Sequence, residues 1–347
     1  MKACVLYAVG DLRYEEAPKP SPGKNEVLIK IKASGVCGSD IPRVFTKGTY
    51  HFPTIPGHEF AGQIVEVGEG TDSRLVGRKA AVFPLLPCKK CEACNIGEYA
   101  QCKEYNYFGS RCDGGFAEYI AVPVWNLVMV PDSLSYEEAA MAEPAAVAVH
   151  ALRQASIEIG DSVVIFGAGP IGLMLGQWAQ AWGAGKVLLV DIDEGKIAFA
   201  KEMGFENVWN SKNGEPIKWI HEMTGNRGAD LAVEGAGVSS TLEQCLGCVR
   251  PFGRIVAMGN PAGDMKLSQK AYWELLRKQL TISGTWNSSF VSLPKNDWDL
   301  AINAMAQGMI NVKPFITHKF SLKQCNEALI MMKDRSTFFN KVMFVME

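Results

Sequence analysis

The amino-acid sequence predicts an α/β protein in which a doubly wound parallel sheet accompanies a mainly β, barrel-like domain. Three features of the 347-residue chain indicate this. Strand-like segments separated by glycine and proline run up to about residue 150. From residue 161, strands alternate with helices, which is typical of a parallel sheet covered on both faces. A glycine-rich turn, GAGPIG, joins the first strand of this second part to its first helix.

The predicted strands of the first part have strand-like apolar spacing and end at turns: EVLIKIKASGVC, AGQIVEVGEG, GRKAAVFPLLPC and GGFAEYIAVP. A helical pattern follows in SLSYEEAAMAEPAAVAVHALRQA. Ser135 is its expected N-cap, with Glu138 at the capping-box position. We expect Pro144 to start a second helix rather than lie inside the first.

The second part begins with strand VVIF before helix IGLMLGQWAQAW, and strand KVLLVDI before helix EGKIAFAKEMG. ADLAVEGAG, TLEQCLGCVR and GRIVAMG continue the alternation. Near residue 287 it ends, and DWDLAINAMAQGMI and SLKQCNEALIMMK predict helices before a last strand, KVMFVME. No internal repeat is found in the sequence.

Charge and targeting features narrow the class of protein. The net charge is −2, from 35 lysines and arginines against 37 aspartates and glutamates, so no nucleic-acid surface is expected. The N-terminal MKACVLYAVGDLRYEE predicts a strand and not a signal peptide. Residues 162–185 carry no charge, but their six glycines favour strand, turn and helix over a membrane span. The sequence therefore predicts a cytoplasmic protein whose thiols stay reduced.

The GAGPIG turn predicts a dinucleotide site. Gly167 permits the tight turn, Gly169 lets a pyrophosphate approach the backbone, and Gly172 lets helix and strand pack closely; Pro170 and Ile171 lie between them. The helix that follows turns its N-terminus toward the phosphates.

Asp191 closes the next strand, VLLVDID, and predicts the choice of cofactor. Its carboxylate suits the two ribose hydroxyls of NAD and would repel the 2′-phosphate of NADP. No arginine follows it, since the next residues are Ile, Asp, Glu and Gly. We therefore expect NAD in preference to NADP.

Four cysteines occupy one short loop, PCKKCEACNIGEYAQC: Cys88, Cys91, Cys94 and Cys102. Four thiolates match a tetrahedral zinc site with every position filled, so that the metal would be structural. Disulfides are disfavoured in a reducing compartment. An iron–sulfur cluster stays open as an alternative because its ligand spacing overlaps.

A second set of potential metal ligands is scattered along the first part of the chain. Cys37 lies in GVCGSD, His58 and Glu59 in GHEF, and Glu143 in AEP. One thiolate, one imidazole and carboxylates suit an open zinc site that leaves room for a substrate oxygen. Taken singly, each of these residues is more typical of a structural or core position. Their occurrence together beside a dinucleotide motif favours the metal site.

The sequence resembles the zinc-dependent medium-chain dehydrogenase/reductase family over nearly its whole length. The resemblance is carried by GVCGSD, GHEFAGQIVEVG, the four-cysteine loop, GGFAEYI, EP, GAGPIG and VDID. Within the family it is similar to the polyol dehydrogenase branch, because Glu143 stands where alcohol dehydrogenases have a second cysteine.

The resemblance implies a Rossmann doubly wound sheet, residues 151–287, inserted into a GroES-like β-barrel catalytic domain formed by residues 1–150 and 288–347. It implies two zincs per chain, with Cys37, His58 and Glu143 as catalytic ligands and Glu59 as a direct or outer ligand. Ser39 would relay the proton. A homodimer or homotetramer is also implied.

The implied reaction is the reversible oxidation of a secondary alcohol, such as a polyol or sugar-alcohol phosphate, to a ketone with NAD. Threonine or a diol such as butanediol is the nearest alternative substrate, and a zinc-free quinone reductase or a zinc-ribbon binding module is an alternative class. For a phosphorylated substrate, Arg43 and Lys47 are candidate cations, with solvated surface charge as the alternative. Cys245 and Cys248 lie three residues apart on a predicted helix and are expected to pack in the core, as are Cys4 and Cys325.

Overall fold

Two structural units form in the computed structural model of the protein, which describes residues 1–261 and 263–347. Residues 1–144 and 289–347 form the first unit, and residues 145–288 form the second. The sequence-based prediction set the limits of the second domain at residues 151 and 287.

The first unit is built around a seven-stranded sheet. The strands of the whole unit are β1 (Lys2–Ala8), β2 (Asp11–Glu16), β3 (Glu26–Val36), β4 (Glu59–Val67), β5 (Lys79–Val82), β6 (Leu85–Leu86), β7 (Asn106–Tyr107), β8 (Tyr119–Pro123), β9 (Leu127–Val130), β16 (Ile316–Phe320) and β17 (Lys341–Val345). Of these, β1 with β2 and β6 with β7 form two separate two-stranded sheets. The sheet order is β16-β17-β3-β4-β5-β9, with β8 also pairing with β3. All of these pairs are antiparallel except β16 with β17. Two irregularities in the pairing of β3 with β4 are consistent with the bending of a barrel-like sheet.

Strand β3 brings the ends of three strands together. Its last residue, Val36, pairs with Val342 of β17, and Gly35 pairs with Glu59 at the start of β4. The C-terminal strand therefore lies next to the residue before Cys37 and beside GHEF, although these segments are far apart in sequence. This junction of strand ends is where the site described below is built.

Short helices in the first unit are α1 (Asp40–Pro42), α2 (Glu92–Asn95), α3 (Tyr136–Ala140), α10 (Asp297–Ala306) and α11 (Cys325–Asp334), and α4 (Ala142–Gln154) begins there. Ser135 caps α3 with both hydrogen bonds of a capping box, as predicted. A second helix does follow, but it starts at Ala142. Pro144 thus lies in the first turn, where a missing backbone N–H costs no helical hydrogen bond.

The second unit is a six-stranded parallel sheet in the order β12-β11-β10-β13-β14-β15. Its strands are β10 (Ser162–Phe166), β11 (Lys186–Asp191), β12 (Val208–Asn210), β13 (Ala229–Glu234), β14 (Val249–Ala257) and β15 (Thr281–Gly284). Its helices are α5 (Pro170–Ala181), α6 (Glu194–Glu202), α7 (Pro216–Met223), α8 (Ser239–Cys248) and α9 (Gln269–Arg277). In order along the chain this is 3-2-1-4-5-6, the doubly wound order of dinucleotide-binding sheets, and the predicted α/β class is confirmed.

Buried apolar residues explain why the central strands lie where they do. Every residue of β13 is buried, and so are the last four of β10, as expected for parallel strands covered on both faces. Cys245 and Cys248 are fully buried in this core, and Cys4 and Cys325 in that of the first unit, as predicted. Across the described ranges no helix has the length and apolar character needed to cross a bilayer; the uncharged 162–185 segment forms β10 and α5.

Candidate metal centres and nucleotide site

Three donor side chains lie together where strand β3 ends and strand β4 begins. The Cys37 thiol, one imidazole nitrogen of His58 and a carboxylate oxygen of Glu59 all lie within 4.8 Å of one another. His58 and Glu59 are buried, and Cys37 is half-buried. The antiparallel register of β3 and β4 produces this arrangement, since Gly35 faces Glu59.

Glu143 approaches the same cluster from α4. It is buried, and its Oε1 accepts a hydrogen bond from the Tyr107 hydroxyl at 3.4 Å. Burial and the neighbouring negative charge of Glu59 raise the pKa of Glu143 to about 7. Glu143 is outside the 4.8 Å group of three donors, so its carboxylate is near that group without being packed into it.

Asp40 is close to two members of the cluster, His58 and Cys37. Its Oδ1 lies 3.5 Å from His58 Nδ1 and accepts from Arg43 Nη1 at 2.6 Å, while its Oδ2 accepts from the Cys37 N–H at 2.9 Å. Burial alone would raise the pKa of this carboxyl, but His58 and Arg43 outweigh it and bring the pKa to about 2. Because the carboxylate faces Nδ1, Nε2 is the ring nitrogen left for a metal.

Lys341, from the start of β17, supplies a buried positive charge. Its Nζ forms an ion pair with Glu59 Oε2. Burial lowers the pKa of this amine, but Glu59 and Cys37 raise it more, so that Lys341 stays protonated. A side chain at Gly35 would collide with Glu59 Oε2 and lie 2.9 Å from Lys341 Cε, so the pair needs a glycine at that position.

These residues fit an open zinc site by the chemistry of the donors. A thiol, an imidazole that faces a carboxylate, and the carboxylate of Glu59 lie together, with a second carboxylate, that of Glu143, nearby; three such ligands hold zinc with one position left over. Sequence reasoning did not identify Asp40, Tyr107 or Lys341. Asp40 had a usable signal, three residues after Cys37 and three before Arg43; Lys341 had none, because only the sheet brings it here.

The four-cysteine loop forms a separate cluster. The ligand atoms of Cys88, Cys91, Cys94 and Cys102 lie within 4.8 Å of one another. Cys91 and Cys94 Sγ are 3.5 Å apart, and Cys88 and Cys94 Sγ are 3.9 Å apart. Zinc–sulfur bonds of about 2.3 Å in a tetrahedron place sulfurs roughly 3.8 Å apart. Four free thiols at this separation fit a metal with every position filled.

Backbone N–H groups stabilise thiolates in this loop. The N–H groups of Cys94 and Lys103 lower the pKa of Cys91 to about 6, which favours the thiolate at neutral pH. The Cys88 N–H points at Cys102 Sγ at 3.3 Å. The thiolate is the form that binds metal.

Three further predicted residues follow Cys37. Ser39 is half-buried at the N-cap of α1, with its N–H 3.5 Å from Cys37 Sγ. Arg43 forms an ion pair with Asp40, and its side chain is 18% exposed. Lys47 is exposed at the end of the short helical segment Arg43–Lys47.

The glycine turn of the second unit has the shape expected for a nucleotide. Gly167 has φ +112°, in the region that favours glycine. A side chain at Gly172 would collide with the Gly167 carbonyl oxygen, whereas one at Gly169 would meet nothing within 4 Å. Gly169 is the N-cap of α5 and Pro170 begins the helix, with Ile171 half-buried beside it. Gly169 therefore borders open space in front of the helix N-terminus, where a pyrophosphate is stabilised.

Asp191 is held rigidly at the end of β11. Its Oδ2 accepts from the Ala168 N–H at 2.8 Å, and its Oδ1 from the N–H groups of Ile192 and Asp193 at 2.8 and 3.0 Å. Lys196 Nζ lies 3.5 Å from Oδ2. This lysine was missed from the sequence, although its place in the first turn of α6 after the aspartate was a signal.

Comparisons with known proteins agree with this architecture. The model of the alcohol dehydrogenase GroES-like domain matches residues 23–132, and that of the zinc-binding dehydrogenase matches residues 170–307. Galactitol 1-phosphate 5-dehydrogenase of Escherichia coli (strain K12) is 36% identical over 330 residues, covering 95% of each chain. Sorbitol dehydrogenase of Bacillus subtilis (strain 168) is 33% identical over 335 residues, covering 95% of this chain and 92% of the other. A crystal structure of galactitol-1-phosphate dehydrogenase from Escherichia coli superimposes with a TM-score of 0.93 at 35% identity over all of both chains.

Proposed function

The chain belongs to the family of zinc-binding alcohol dehydrogenases with a GroES-like domain, and from this premise we propose that it reversibly oxidises a secondary alcohol of a polyol phosphate to a ketose with NAD. It is an oxidoreductase of the polyol dehydrogenase type, as its relatives are. A substrate close to galactitol 1-phosphate, oxidised at C5, is the specific form of the proposal. The observation that carries it is the group of half-buried Cys37 with buried His58 and Glu59, and Glu143 beside it.

In this proposal Cys37, His58 and Glu143 hold the catalytic zinc, with Glu59 as a direct or outer ligand. Zinc held by these residues would supply a Lewis acid for the alcohol oxygen. Asp40 keeps the His58 ring oriented and in the tautomer that leaves Nε2 free. Lys341 compensates part of the negative charge that the donor set gathers in a buried place.

The chain also has to remove the alcohol proton and receive the hydride. Ser39 is the proposed proton relay, since its hydroxyl is half-buried on the turn that follows Cys37. NAD bound in the second unit would supply the hydride acceptor. Gly167, Gly169 and Gly172 form the turn against which the pyrophosphate of NAD would lie, with the α5 N-terminus behind it.

NAD in preference to NADP is proposed because of Asp191. Three backbone N–H groups fix its carboxylate, so it cannot turn away from a ribose 2′-phosphate. Lys196 lies next to the same carboxylate and offsets part of its repulsion of the 2′-phosphate. We therefore expect a preference for NAD without complete exclusion of NADP. Michaelis constants for NAD and NADP test this; comparable values would contradict the assignment to Asp191.

The four-cysteine loop is proposed to hold a second, structural zinc. Its sulfurs fill all four positions of the metal and leave none for a substrate. The protein would therefore carry two zincs per chain with different roles.

An NAD-reduction screen tests the substrate. Wild-type protein is offered galactitol 1-phosphate, galactitol, sorbitol, xylitol, threonine and 2,3-butanediol at equal concentrations. We expect the highest kcat/KM with galactitol 1-phosphate. A higher value with sorbitol or xylitol would favour a free-polyol dehydrogenase, and one with threonine or butanediol would contradict the polyol assignment.

We further propose that the protein is a cytoplasmic homodimer or homotetramer. All ten cysteines are free, as expected in a reducing compartment. Strand β15 ends the six-stranded sheet, and large apolar side chains are exposed on it and around it: Tyr272, Trp273, Leu276, Ile282 and Trp286. An edge strand with exposed apolar neighbours favours pairing with a second copy. Light scattering of the purified protein tests this, and a monomer at micromolar concentration would contradict it.

A further inference from the structure

Arg111 has an uncommon setting for a charged residue of the first unit. Its guanidinium lies between the rings of Tyr50 and Tyr105, with 4.1 and 4.4 Å from Cζ to the ring centroids. The side chain is half-buried and donates one hydrogen bond, from Nη1 to the Tyr105 carbonyl oxygen at 3.3 Å. Over residues 1–261 and 263–347, no carboxylate lies within ion-pair distance of it. Most of its N–H groups are thus available to a ligand.

The backbone around Arg111 is fixed before any ligand arrives. The Tyr107 carbonyl oxygen accepts from the N–H groups of Ser110, Arg111 and Cys112, which makes a tight turn. This turn is joined to the 50–51 segment by the Tyr50 N–H, which donates to the Ser110 carbonyl at 3.3 Å, and by His51 Nε2, 3.1 Å from the Arg111 carbonyl. A guanidinium held in this way loses little side-chain entropy on binding.

A series of aromatic contacts links this guanidinium to the proposed catalytic cluster. The Tyr105 and Tyr107 rings are 6.3 Å apart between centroids. The Tyr107 hydroxyl donates to Glu143, and its ring centroid is 5.7 Å from that of His58. All of these residues belong to the first unit. Arg111 is therefore connected to the metal donors through the successive rings of Tyr105 and Tyr107.

The other two cations considered from the sequence are less suited to an anion. Arg43 already forms an ion pair with buried Asp40, at 2.6 Å, so its charge is used inside the site. Lys47 is exposed, and an exposed flexible amine contributes little binding energy. Of these three cations, Arg111 alone is both half-buried and without an acidic partner among the residues that the structure describes.

We propose that Arg111, clamped by Tyr50 and Tyr105, binds the phosphate of a polyol phosphate while the carbinol end of the same substrate reaches the metal cluster. The proposal rests on the function proposed above and assigns its specificity for a phosphorylated substrate to one residue. A planar guanidinium with several free N–H groups matches the oxygens of a phosphate dianion. The phosphate dianion would be the acidic partner that Arg111 lacks among the described residues.

Arg111→Met tests the proposal, because methionine keeps an apolar stem between the two rings. We expect the KM for galactitol 1-phosphate to rise about tenfold to 100-fold, as for loss of a hydrogen bond to a charged group. The KM for galactitol should stay within about twofold, since it has no phosphate. Inorganic phosphate should compete with galactitol 1-phosphate in the wild type and much less in the variant. Arg74→Met, at an exposed arginine paired with Asp72, is the matched control and should change neither constant.

Equal effects of Arg111→Met on galactitol 1-phosphate and galactitol, or no effect on either, would overturn the proposal. If Arg111→Met does not fold, Arg111→Lys replaces it and should give a smaller rise in KM, again confined to the phosphorylated substrate. A wild type that oxidises galactitol 1-phosphate and free polyols, but whose oxidation of galactitol 1-phosphate is not inhibited by inorganic phosphate, overturns the phosphate site and leaves the proposed dehydrogenase activity standing. A wild type that oxidises no polyol defeats the proposed function; calorimetric binding of inorganic phosphate that Arg111→Met abolishes would still support the site.

Discussion

Lys341 Nζ and Glu59 Oε2 form an ion pair in which the two side chains are only 4% and 2% exposed. They come from the starts of β17 and β4, the two strands on either side of β3. Burial lowers the pKa of the Lys341 amine, but the ion pair with Glu59 outweighs burial and the pKa is raised. The proposed metal cluster thus includes its own buried counter-charge.

Replacing Lys341 by Met should destabilise the protein strongly, because Glu59 is left as a buried charge without a partner. We expect a loss of about 3–5 kcal/mol in the free energy of unfolding, measured with denaturant. Lys319→Met, which removes an exposed partner of Glu137, is the control and should cost at most about 1 kcal/mol. The double variant Lys341→Met with Glu59→Met should recover most of the loss. If Lys341→Met and Lys319→Met lowered the free energy of unfolding by the same amount, the result would contradict a stabilising pair between Lys341 and Glu59.

Gly35→Ala should disturb the catalytic cluster without replacing any of its proposed metal ligands. The added methyl group would collide with Glu59 Oε2 and crowd Lys341, so that the pair and the cluster must shift. Displacement of reacting groups by about 1 Å costs roughly 100-fold, and we expect a fall of that order in kcat/KM. Gly38→Ala is the control, since a methyl group there meets nothing within 4 Å. A loss as large for Gly38→Ala would show that the neighbouring Cys37 turn, and not the ion pair, is the sensitive feature.

Cys91→Ser should remove the zinc of the four-cysteine loop. We expect the zinc content to fall from two to one per chain and the melting temperature to drop, with activity declining only as the fold weakens. Cys112→Ser is the matched control, because Cys112 is half-buried and outside both donor clusters. Two zincs remaining in Cys91→Ser, with unchanged stability, would count against a structural metal.

Two glycines of the GAGPIG turn are expected to have different roles, Gly172 in packing and Gly169 in binding NAD. Gly172→Ala should lower the free energy of unfolding by about 1–3 kcal/mol, because the methyl group collides with the Gly167 carbonyl. Gly169→Ala should leave stability nearly unchanged but raise the KM for NAD, since its methyl group would enter the open space at the α5 N-terminus. Denaturant unfolding and NAD titration distinguish the two, and an unaltered KM in Gly169→Ala would contradict the proposed position of the pyrophosphate.

Much of this architecture was predictable because its signals are local. The GAGPIG turn, the capping box at Ser135 and the four-cysteine loop each lie within a few residues of sequence. The start of α4 was misplaced by two residues because proline is accepted anywhere in a first turn, so Pro144 does not mark the boundary.

Two of the residues missed from the sequence, Lys341 and Arg111, take their positions only from tertiary structure. Lys341 reaches Glu59 because β17 pairs with β3, and no spacing rule links the two. Arg111 looks like an ordinary surface arginine in FGSRCDGG until the structure places it between two tyrosine rings without an acidic partner. Arg43 shows the reverse, since a candidate phosphate cation proves to be held by Asp40.

Metal analysis of the wild type and of Cys37→Ser tests the central claim most directly, that the donors around Cys37 form the catalytic centre and the four-cysteine loop is scaffold. We expect two zincs per chain in the wild type and one in Cys37→Ser. The variant should keep its far-ultraviolet circular dichroism and its cooperative unfolding, and should no longer reduce NAD. One zinc in the wild type, or two in an inactive Cys37→Ser, would contradict the account.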